Sequence, residues 1–349
     1  MQENMSEVKK AKTVLVIDYT TNWFAIFGRR RVLSDGTPVV IEQASWKDIS
    51  IVSVSDSCQA IVHLARAETP FPFSNQSEDR VVVVDFLLIR NFPTSLHGEN
   101  YERLLLGFDF AMVPSVNSVA SILADMHRPR QHAELRRIEA RIVERHKTEG
   151  SSSEPMIHVV PMQYHANQGP TIKINLSDVI SSGIINKEDV QTHYPAVVKA
   201  ASTHAGYGKI VAHDDAELDD LRSVLALGTS YYTVEPMIDV AYEVRLQRIG
   251  DRTRCFRRTS STSWKNNWGD ISFRDEEVLP RHKEWCDECQ KMWGGLDIFA
   301  LDVLVAKDGS EVLLEINSTA CGLMYEHEEE DNKAIADLVI RRMNEHFCK

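Results

Sequence analysis

The sequence has no run of about 18 apolar residues, so no membrane-spanning helix is expected. Residues 1–12 are polar and mixed in charge, without the apolar core of a secretory signal, and a cytoplasmic protein is expected. Cysteine is scarce: Cys58, Cys255, Cys286, Cys289, Cys321 and Cys348 are scattered and read as reduced thiols. Cys286 and Cys289 have redox or zinc half-site spacing, but they fall in a predicted helix over 281–292 with no second pair nearby; structural thiols are the better reading. Positive charge is also short. Lys and Arg number 39 against 51 Asp and Glu, a formal charge of −12, and the longest basic run is Arg29 to Arg31. Such a chain repels nucleic acid and anionic lipid, so neither nucleic-acid binding nor integral membrane association is expected. No internal repeat or coiled-coil stretch occurs.

What is present suits a folded protein of two or three lobes: 349 residues, 43% hydrophobic and 26% charged. Residues 14–17 read as a buried parallel strand, and 81–89 as a second strand. A helix is expected over 99–110, so the first ~110 residues suggest an open α/β sheet. Ser115 is expected to cap a helix over 116–126, with Pro129 breaking or restarting it ahead of an amphipathic helix over 131–147. Residues 148–155 are Gly/Ser-rich and suit a linker. Strand-like runs follow at 157–161, 196–199, 209–212, 231–235, 244–249, 254–258, 298–305 and 311–316. Helices are expected over 214–227 and 332–347. The second half therefore reads as α+β with two antiparallel sheets.

The most informative segment is 301–317. Asp308-Gly309 signals a two-residue hairpin turn pairing Lys307 with Ser310. Counting outward, Asp302 faces Glu315, and alternation puts Asn317 on the same face. Facing carboxylates repel, so a positive group is expected between them. Two carboxylates and an amide oxygen suit Mg²⁺ when phosphates complete its shell, although an exposed polar face would also fit.

Residues 195–211 form a strand, a small-residue loop and a second strand. Lys199 ends the first strand, Gly206 and Gly208 let the backbone approach an anion, and Lys209 follows. This is neither a P-loop nor a G-x-G-x-x-G motif; a flap over phosphates and a tight β-turn both fit. Within 231–239, a strand running into Glu235-Pro236 suggests an interlobe hinge. Glu243 and Arg245 share a face of the next strand, and Arg258 and Lys265 add positive charge downstream. His204, in the loop, is better read as a hydrogen-bonding residue than as an acid or base. Cys321 is better read as a packing residue than as a redox-sensitive one.

The order of glycine flap with lysine, Glu-Pro hinge, basic strands, then Asp and Glu-x-Asn on a hairpin resembles the ATP-grasp superfamily. Within it the chain is similar to the synapsins from about residue 13 to 343. Segments 117–122, 195–208, 233–239 and 242–250 carry the likeness, as do Trp264-Lys265-Asn266-Asn267 and Gly294-Gly295-Leu296-Asp297-Ile298. The resemblance implies a polar tail (1–12), a pre-ATP-grasp α/β domain (13–114) and an ATP-grasp domain (115–349). The latter would have a flap lobe over about 157–232 and a metal lobe over about 233–349.

The resemblance also implies that ATP is bound by Lys199, the Ser202–Gly208 flap with Lys209, and Arg128. Glu235, Pro236, Met237 and Ile238 would hold adenine, Glu243 the ribose side, and Lys265 the triphosphate. Asp302, Glu315 and Asn317 would bind Mg²⁺, with Ca²⁺ or Mn²⁺ as alternatives; Arg245 and Arg258 are candidates, on charge and location alone, for clamping the γ-phosphate or an acyl-phosphate. It suggests a homodimer or dimer of dimers with nucleotide-controlled conformation or self-association. The alternative is a carboxylate–amine or carboxylate–thiol ligase acting on a small carboxylate through an acyl-phosphate. Vesicle or cytoskeleton contact rests on the resemblance alone. Three departures stand out. Arg128 replaces the family's lysine, and Asp302 with Glu315-x-Asn317 follows the catalytic superfamily more closely than synapsins do. The basic, Pro-rich flanks of neuronal synapsins are not in this sequence.

Overall fold

The computed structural model describes residues 9–28, 31–55, 57–62, 79–95, 98–150, 156–166, 191–201, 206–228, 230–260, 263–265 and 270–349. The short apolar strand β1 (Lys12–Ile17) is central to a parallel sheet with β2 (Val39–Ala44), β6 (Phe86–Ile89) and β7 (Ser115–Val116), in the order β2-β1-β6-β7. Its side chains alternate between two cores. Leu15 and Ile17 join the core beside α2 (Glu102–Phe110) and α3 (Val119–Asp125); Val14 and Val16 join the core beside α1 (Trp23–Phe27).

The run 81–89, expected as one strand, is two. Asp85 interrupts it by accepting the Thr13 N–H at 2.9 Å and the Lys12 ammonium at 2.8 Å. Upstream, β5 (Arg80–Val84) pairs with β4 (Ser57–Val62), and β4 with β3 (Ile49–Val54), in an antiparallel sheet absent from the sequence reading. Ser and Gln interrupt the apolar alternation of β3 and β4, which hides them.

The helix expected from residue 116 begins at Val119. Ser118, not Ser115, caps it, accepting the Ser121 N–H at 3.0 Å. The reason is Asn117, buried with φ of 56°. Its amide donates to the Ile298 carbonyl at 2.6 Å and accepts the N–H groups of Asp297 and Ile298 at 2.7 Å each. This side chain docks the first sheet onto a later strand. Pro129 restarts a helix, α4 (Arg128–Glu149), where a first-turn proline forfeits no internal bond.

The second half holds two mainly antiparallel sheets, as expected. One has the order β11-β10-β12-β9, from β9 (Gln163–Ala166), β10 (Ala196–Ala200), β11 (Lys209–Ala212) and β12 (Tyr231–Pro236). Its apolar face, with Val198, Val234 and Ala212, covers α5 (Asp215–Leu225). The other has six strands, β15-β14-β13-β16-β17-β8. They are β8 (Ile157–Val159), β13 (Val240–Ile249), β14 (Arg252–Ser260), β15 (Ile271–Glu276), β16 (Ile298–Ala306) and β17 (Glu311–Asn317). Only β8 runs parallel to its neighbour, β17. One face packs against α4 and α6 (Pro280–Cys289); Ile298 and Ala300 meet α7 (Glu328–Phe347) and the first sheet. The edge strands β9 and β15 escaped the sequence reading because neither carries a continuous apolar run.

The six-stranded sheet also corrects the hairpin arithmetic. The loop holds three residues, Lys307 to Gly309: the Ala306 N–H bonds the Ser310 carbonyl at 2.9 Å, and Gly309 takes φ of 87°. Near the turn Val305 therefore faces Glu311, and Leu304 faces Val312. Continued, that register would put Leu314 opposite Asp302. A β-bulge at Leu314 shifts the pairing by one and returns Glu315 to face Asp302. The expected pairing is present, reached by two compensating irregularities.

Candidate functional site

The two sheets of the second half face one another across a polar cleft. In the four-stranded sheet, Lys199 pairs across strands with both Thr233 and Lys209, and Val197 with Glu235. Cross-strand partners share a face, so Lys199, Lys209, Thr233 and Glu235 all lie opposite the apolar face on α5. Lys199 is 2% exposed and its ammonium lies 2.5 Å from Glu235. Burial pushes this ammonium below its ordinary range, while Glu235 opposes the shift. Beside the pair, Tyr231 Oη, Thr233 Oγ1 and Glu235 Oε1 are buried with no hydrogen-bond partner among the described residues. Orphaned polar atoms on one face of a sheet mark a place for a polar ligand.

The six-stranded sheet presents the carboxylates. Arg245 sits opposite Asp302 in the β13/β16 register and donates to its two oxygens at 2.7 and 3.0 Å. The Asn317 amide donates to Asp302 at 3.0 Å, and Arg258 lies 3.7 Å from it while bonding Glu243. Glu315 accepts from Arg128, at the start of α4, at 2.8 Å and lies 3.7 Å from the Lys209 ammonium. Burial alone would raise the Glu315 carboxyl, but Lys209, Arg128 and Lys199 outweigh it and hold the group well below the usual range. Glu243 moves the other way: burial, with Asp302 nearby, pushes it up to about 7 against Arg258 and Arg245. The positive groups anticipated between the carboxylates are thus these arginines and Lys209.

A cavity of about 410 Å³ opens here, lined by Arg128, Lys209, Arg245, Arg258, Asp302 and Glu315 among others. The structure brings Lys199, Glu235, Arg128, Glu315 and Lys209 into one charged group, and Asp302, Asn317, Arg245, Arg258 and Glu243 into a second beside it. Lys265 donates to the Gly206 carbonyl at 3.0 Å, so it meets the flap. Gly206 and Gly208 take φ of 79° and 62°, conformations open to glycine. Ser202 and His204 lie outside the described residues. Glu243 lies against Arg258 at the carboxylate end of the cleft. In the segment 235–238, expected to hold adenine, the Met237 N–H donates to the Pro195 carbonyl at 2.9 Å.

Several residues at the site carried no sequence signal. Asp125 accepts from Ser318 at 2.6 Å and Gln131 at 2.5 Å, and burial pushes its carboxyl up to about 6. Arg90 donates to the carbonyls of Thr319 and Cys321, fastening the loop after Asn317 to the end of β6. Cys321 is buried in the core, consistent with packing. Cys286 and Cys289 are buried free thiols; burial pushes Cys286 up to about 12 and Cys289 well above its ordinary value, so neither is primed for redox or zinc chemistry.

Among the described residues no group of three or more His, Cys, Asp or Glu is arranged to hold a metal ion. Asp302, Glu315 and Asn317 nevertheless form a hard-oxygen set on one face, which fits Mg²⁺ with ligand oxygens completing the shell. No helix among those residues is long and apolar enough to cross a membrane.

Comparison with known proteins gives the family and the fold. Residues 7–115 match the family description "Synapsin pre-ATP-grasp domain", and residues 184–345 match "Synapsin, ATP binding domain". A Drosophila melanogaster synapsin is 29% identical over 343 residues, which is 97% of this chain and 30% of that protein. The chain therefore spans less than a third of that relative's length. Among solved structures, VanG D-Ala:D-Ser ligase from Enterococcus faecalis superposes with a TM-score of 0.60 at 14% identity, covering 96% of this chain and 99% of the ligase. The D-alanine-D-alanine ligase of Coxiella burnetii gives 0.53 at 15% identity, covering 97% and 96%. These likenesses establish the fold. Two synapsin domain descriptions in the same order, the synapsin relative and the shared fold together place this chain in the synapsin family of ATP-grasp proteins, with an ATP-binding domain.

Proposed function

We propose that the cleft clasps ATP and a divalent cation between the polar face of the four-stranded sheet and the carboxylate end of the six-stranded sheet. The observation that carries this reading is the orphaned set of Tyr231, Thr233 and Glu235 atoms beside buried Lys199. Lys199, Arg128, Lys209 and Lys265 would meet the phosphates, and residues 235–238 the adenine. Asp302, Glu315 and Asn317 would hold Mg²⁺, which would neutralise charge on the phosphates. Local cations must carry this binding, because long-range charge opposes it in a chain of −12 and is screened beyond ~8 Å in physiological salt.

Two contacts support nucleotide control of conformation. Lys209–Glu315 and Lys265–Gly206 both join one sheet to the other. ATP that draws Lys209 and Lys265 onto its phosphates, with a cation taking Glu315, replaces direct ties between the sheets with ties through the ligand. In this reading residues 13–114 form the pre-ATP-grasp domain and 115–349 the clasp, in a cytoplasmic protein. Homo-oligomerisation is proposed from the family; light scattering with and without ATP tests it.

A second reading, a ligase, is favoured by Arg245 and Arg258 on Asp302, cations beyond those assigned to the ATP phosphates. A substrate carboxylate would attack the γ-phosphorus and release ADP. An amine or thiol would then attack the acyl carbon and release phosphate. The arginines would steady the transferred phosphoryl group by charge and position. Calorimetric titration of ATP with and without Mg²⁺, on wild type and on Asp302→Asn/Glu315→Gln, tests the metal assignment; equal Mg²⁺ dependence in both contradicts it. ADP release against panels of carboxylates and amines separates the two readings.

A further inference from the structure

One stripe of α4 carries Arg128, His132, Leu135, Glu139 and Ile142 at helical spacing. Leu135 and Ile142 pack in the core between α4 and the six-stranded sheet. The polar members on either side of His132 are engaged: Arg128 donates to Glu315, and Glu139 accepts the Val159 N–H at 3.1 Å. His132 differs. Its Nδ1 is buried with no hydrogen-bond partner among the described residues. Burial, with Arg136 and Lys199 nearby, pushes the imidazole down to about 4 against Glu139. The ring is therefore neutral at pH 7 and keeps a lone pair on one nitrogen. A buried imidazole nitrogen normally has a partner; this one, on the Lys199 side of α4, has none.

Hydrogen-bond polarity narrows what could complete it. Glu235 Oε1 is a second orphaned atom beside Lys199, and a paired carboxylate can only accept. A triphosphate is itself rich in acceptors, so it completes neither atom. What suits both is a part of the ligand that donates. Residues 235–238 are assigned to adenine above, and the amino group of that base carries two N–H donors.

We propose that His132 is a specificity-determining residue for the nucleobase, its neutral imidazole accepting a hydrogen bond from the exocyclic amine of a 6-aminopurine. A 6-oxopurine places a carbonyl oxygen where the amine would be, so acceptor meets acceptor and the same contact selects against it. The inference rests on the nucleotide reading of the cleft and adds a residue that the sequence motifs left out.

The test is calorimetric titration of ATP and ITP, which share ribose and triphosphate and differ at position 6 of the base, into the full chain in Mg²⁺. Wild type is expected to prefer ATP. His132→Phe is expected to weaken ATP by roughly fivefold to tenfold and ITP by less than about twofold, so the preference shrinks. His132→Asn, which keeps an acceptor near the Nδ1 position, is expected to retain most of it. Should the phenylalanine variant not fold, nitrogen-15 spectra of histidine-labelled wild type serve, with the His132 signal assigned by its loss in the asparagine variant. ATP, and not ITP, should then move the lone-pair nitrogen upfield, as an accepted hydrogen bond does. A wild type that binds both nucleotides equally overturns the proposal. So does a folded His132→Phe protein that loses both alike or keeps the wild-type preference; each of these outcomes leaves the nucleotide reading standing. If neither nucleotide binds wild type, that reading falls and the proposal with it.

Discussion

Replacing Glu315 by glutamine keeps the shape of the side chain and removes the charge between Arg128 and Lys209. What is lost is the charge behind a hydrogen bond of 2.8 Å from Arg128 and an ion pair of 3.7 Å with Lys209. Removing one partner of a fully buried pair costs about 3–5 kcal/mol; here Arg128 keeps Glu235 nearby, which moderates the loss. Glu315 and Arg128 retain side-chain exposures of 18% and 10%, so the lower end, about 3 kcal/mol, is expected. At roughly 2 °C per kcal/mol for a long chain, the ligand-free variant should melt about 6 °C below wild type. The response to ATP should reverse this order. In wild type without a metal, ATP must draw Arg128 and Lys209 off Glu315 and leave that carboxylate unpaired; in the variant both cations are available. Differential scanning fluorimetry of both proteins, with and without ATP, in EDTA and in Mg²⁺, reads all the terms. ATP in EDTA should raise Tm more in Glu315→Gln than in wild type, and added Mg²⁺ should raise it further in wild type alone. A variant that melts within about 1 °C of wild type and shows the same ATP and Mg²⁺ responses refutes the reasoning.

Two predictions concern the frame around the site. Asn117→Ala should lose about 3–5 kcal/mol of stability in chemical denaturation, from three buried hydrogen bonds at about 1 kcal/mol each and a left-handed backbone unsuited to alanine; a loss below about 1 kcal/mol would mean that the docking lies elsewhere. Glu311 is held at about 2: burial raises it, but the Arg281 fork at 2.7 and 2.8 Å and His282 outweigh burial. Because its folded value lies below the unfolded one near 4.3, its contribution is complete above that pH and is lost as pH falls toward 2. Glu311→Gln should therefore be less stable at pH 7 and show a flatter acid limb in urea melts between pH 5 and pH 2.5; parallel limbs would contradict the assignment.

The sequence made the chemistry legible wherever a strand's alternation and a turn signal coincide. Asp302, Glu315 and Asn317 share a face because pairing across a hairpin follows from counting. The turn itself was misjudged, since Asp308-Gly309 serves a three-residue loop as readily as a two-residue one, and the compensating bulge at Leu314 has no residue-level mark. Lys199 and Glu235 were both identifiable, but their ion pair depends on how β10 and β12 align, which no local pattern encodes. Asn117 illustrates the remainder. It fell within a predicted helix, and three hydrogen bonds to β16, distant in sequence, hold it in a conformation that ends one strand and delays the helix. Asp125 and Arg90 stayed invisible because each acts on the loop at 318–321, brought near only by the tertiary fold.

The central claim is that buried Lys199, facing the orphaned polar atoms of β12, holds a nucleotide phosphate. Calorimetric titration of ATP in Mg²⁺ into wild type and Lys199→Met tests it most directly, with circular dichroism confirming that the variant folds. Loss of a charge-assisted contact of about 1.5–3 kcal/mol predicts one site per chain in wild type and affinity weakened by roughly tenfold to a hundredfold in the variant. Equal affinity in a folded Lys199→Met protein would contradict the account.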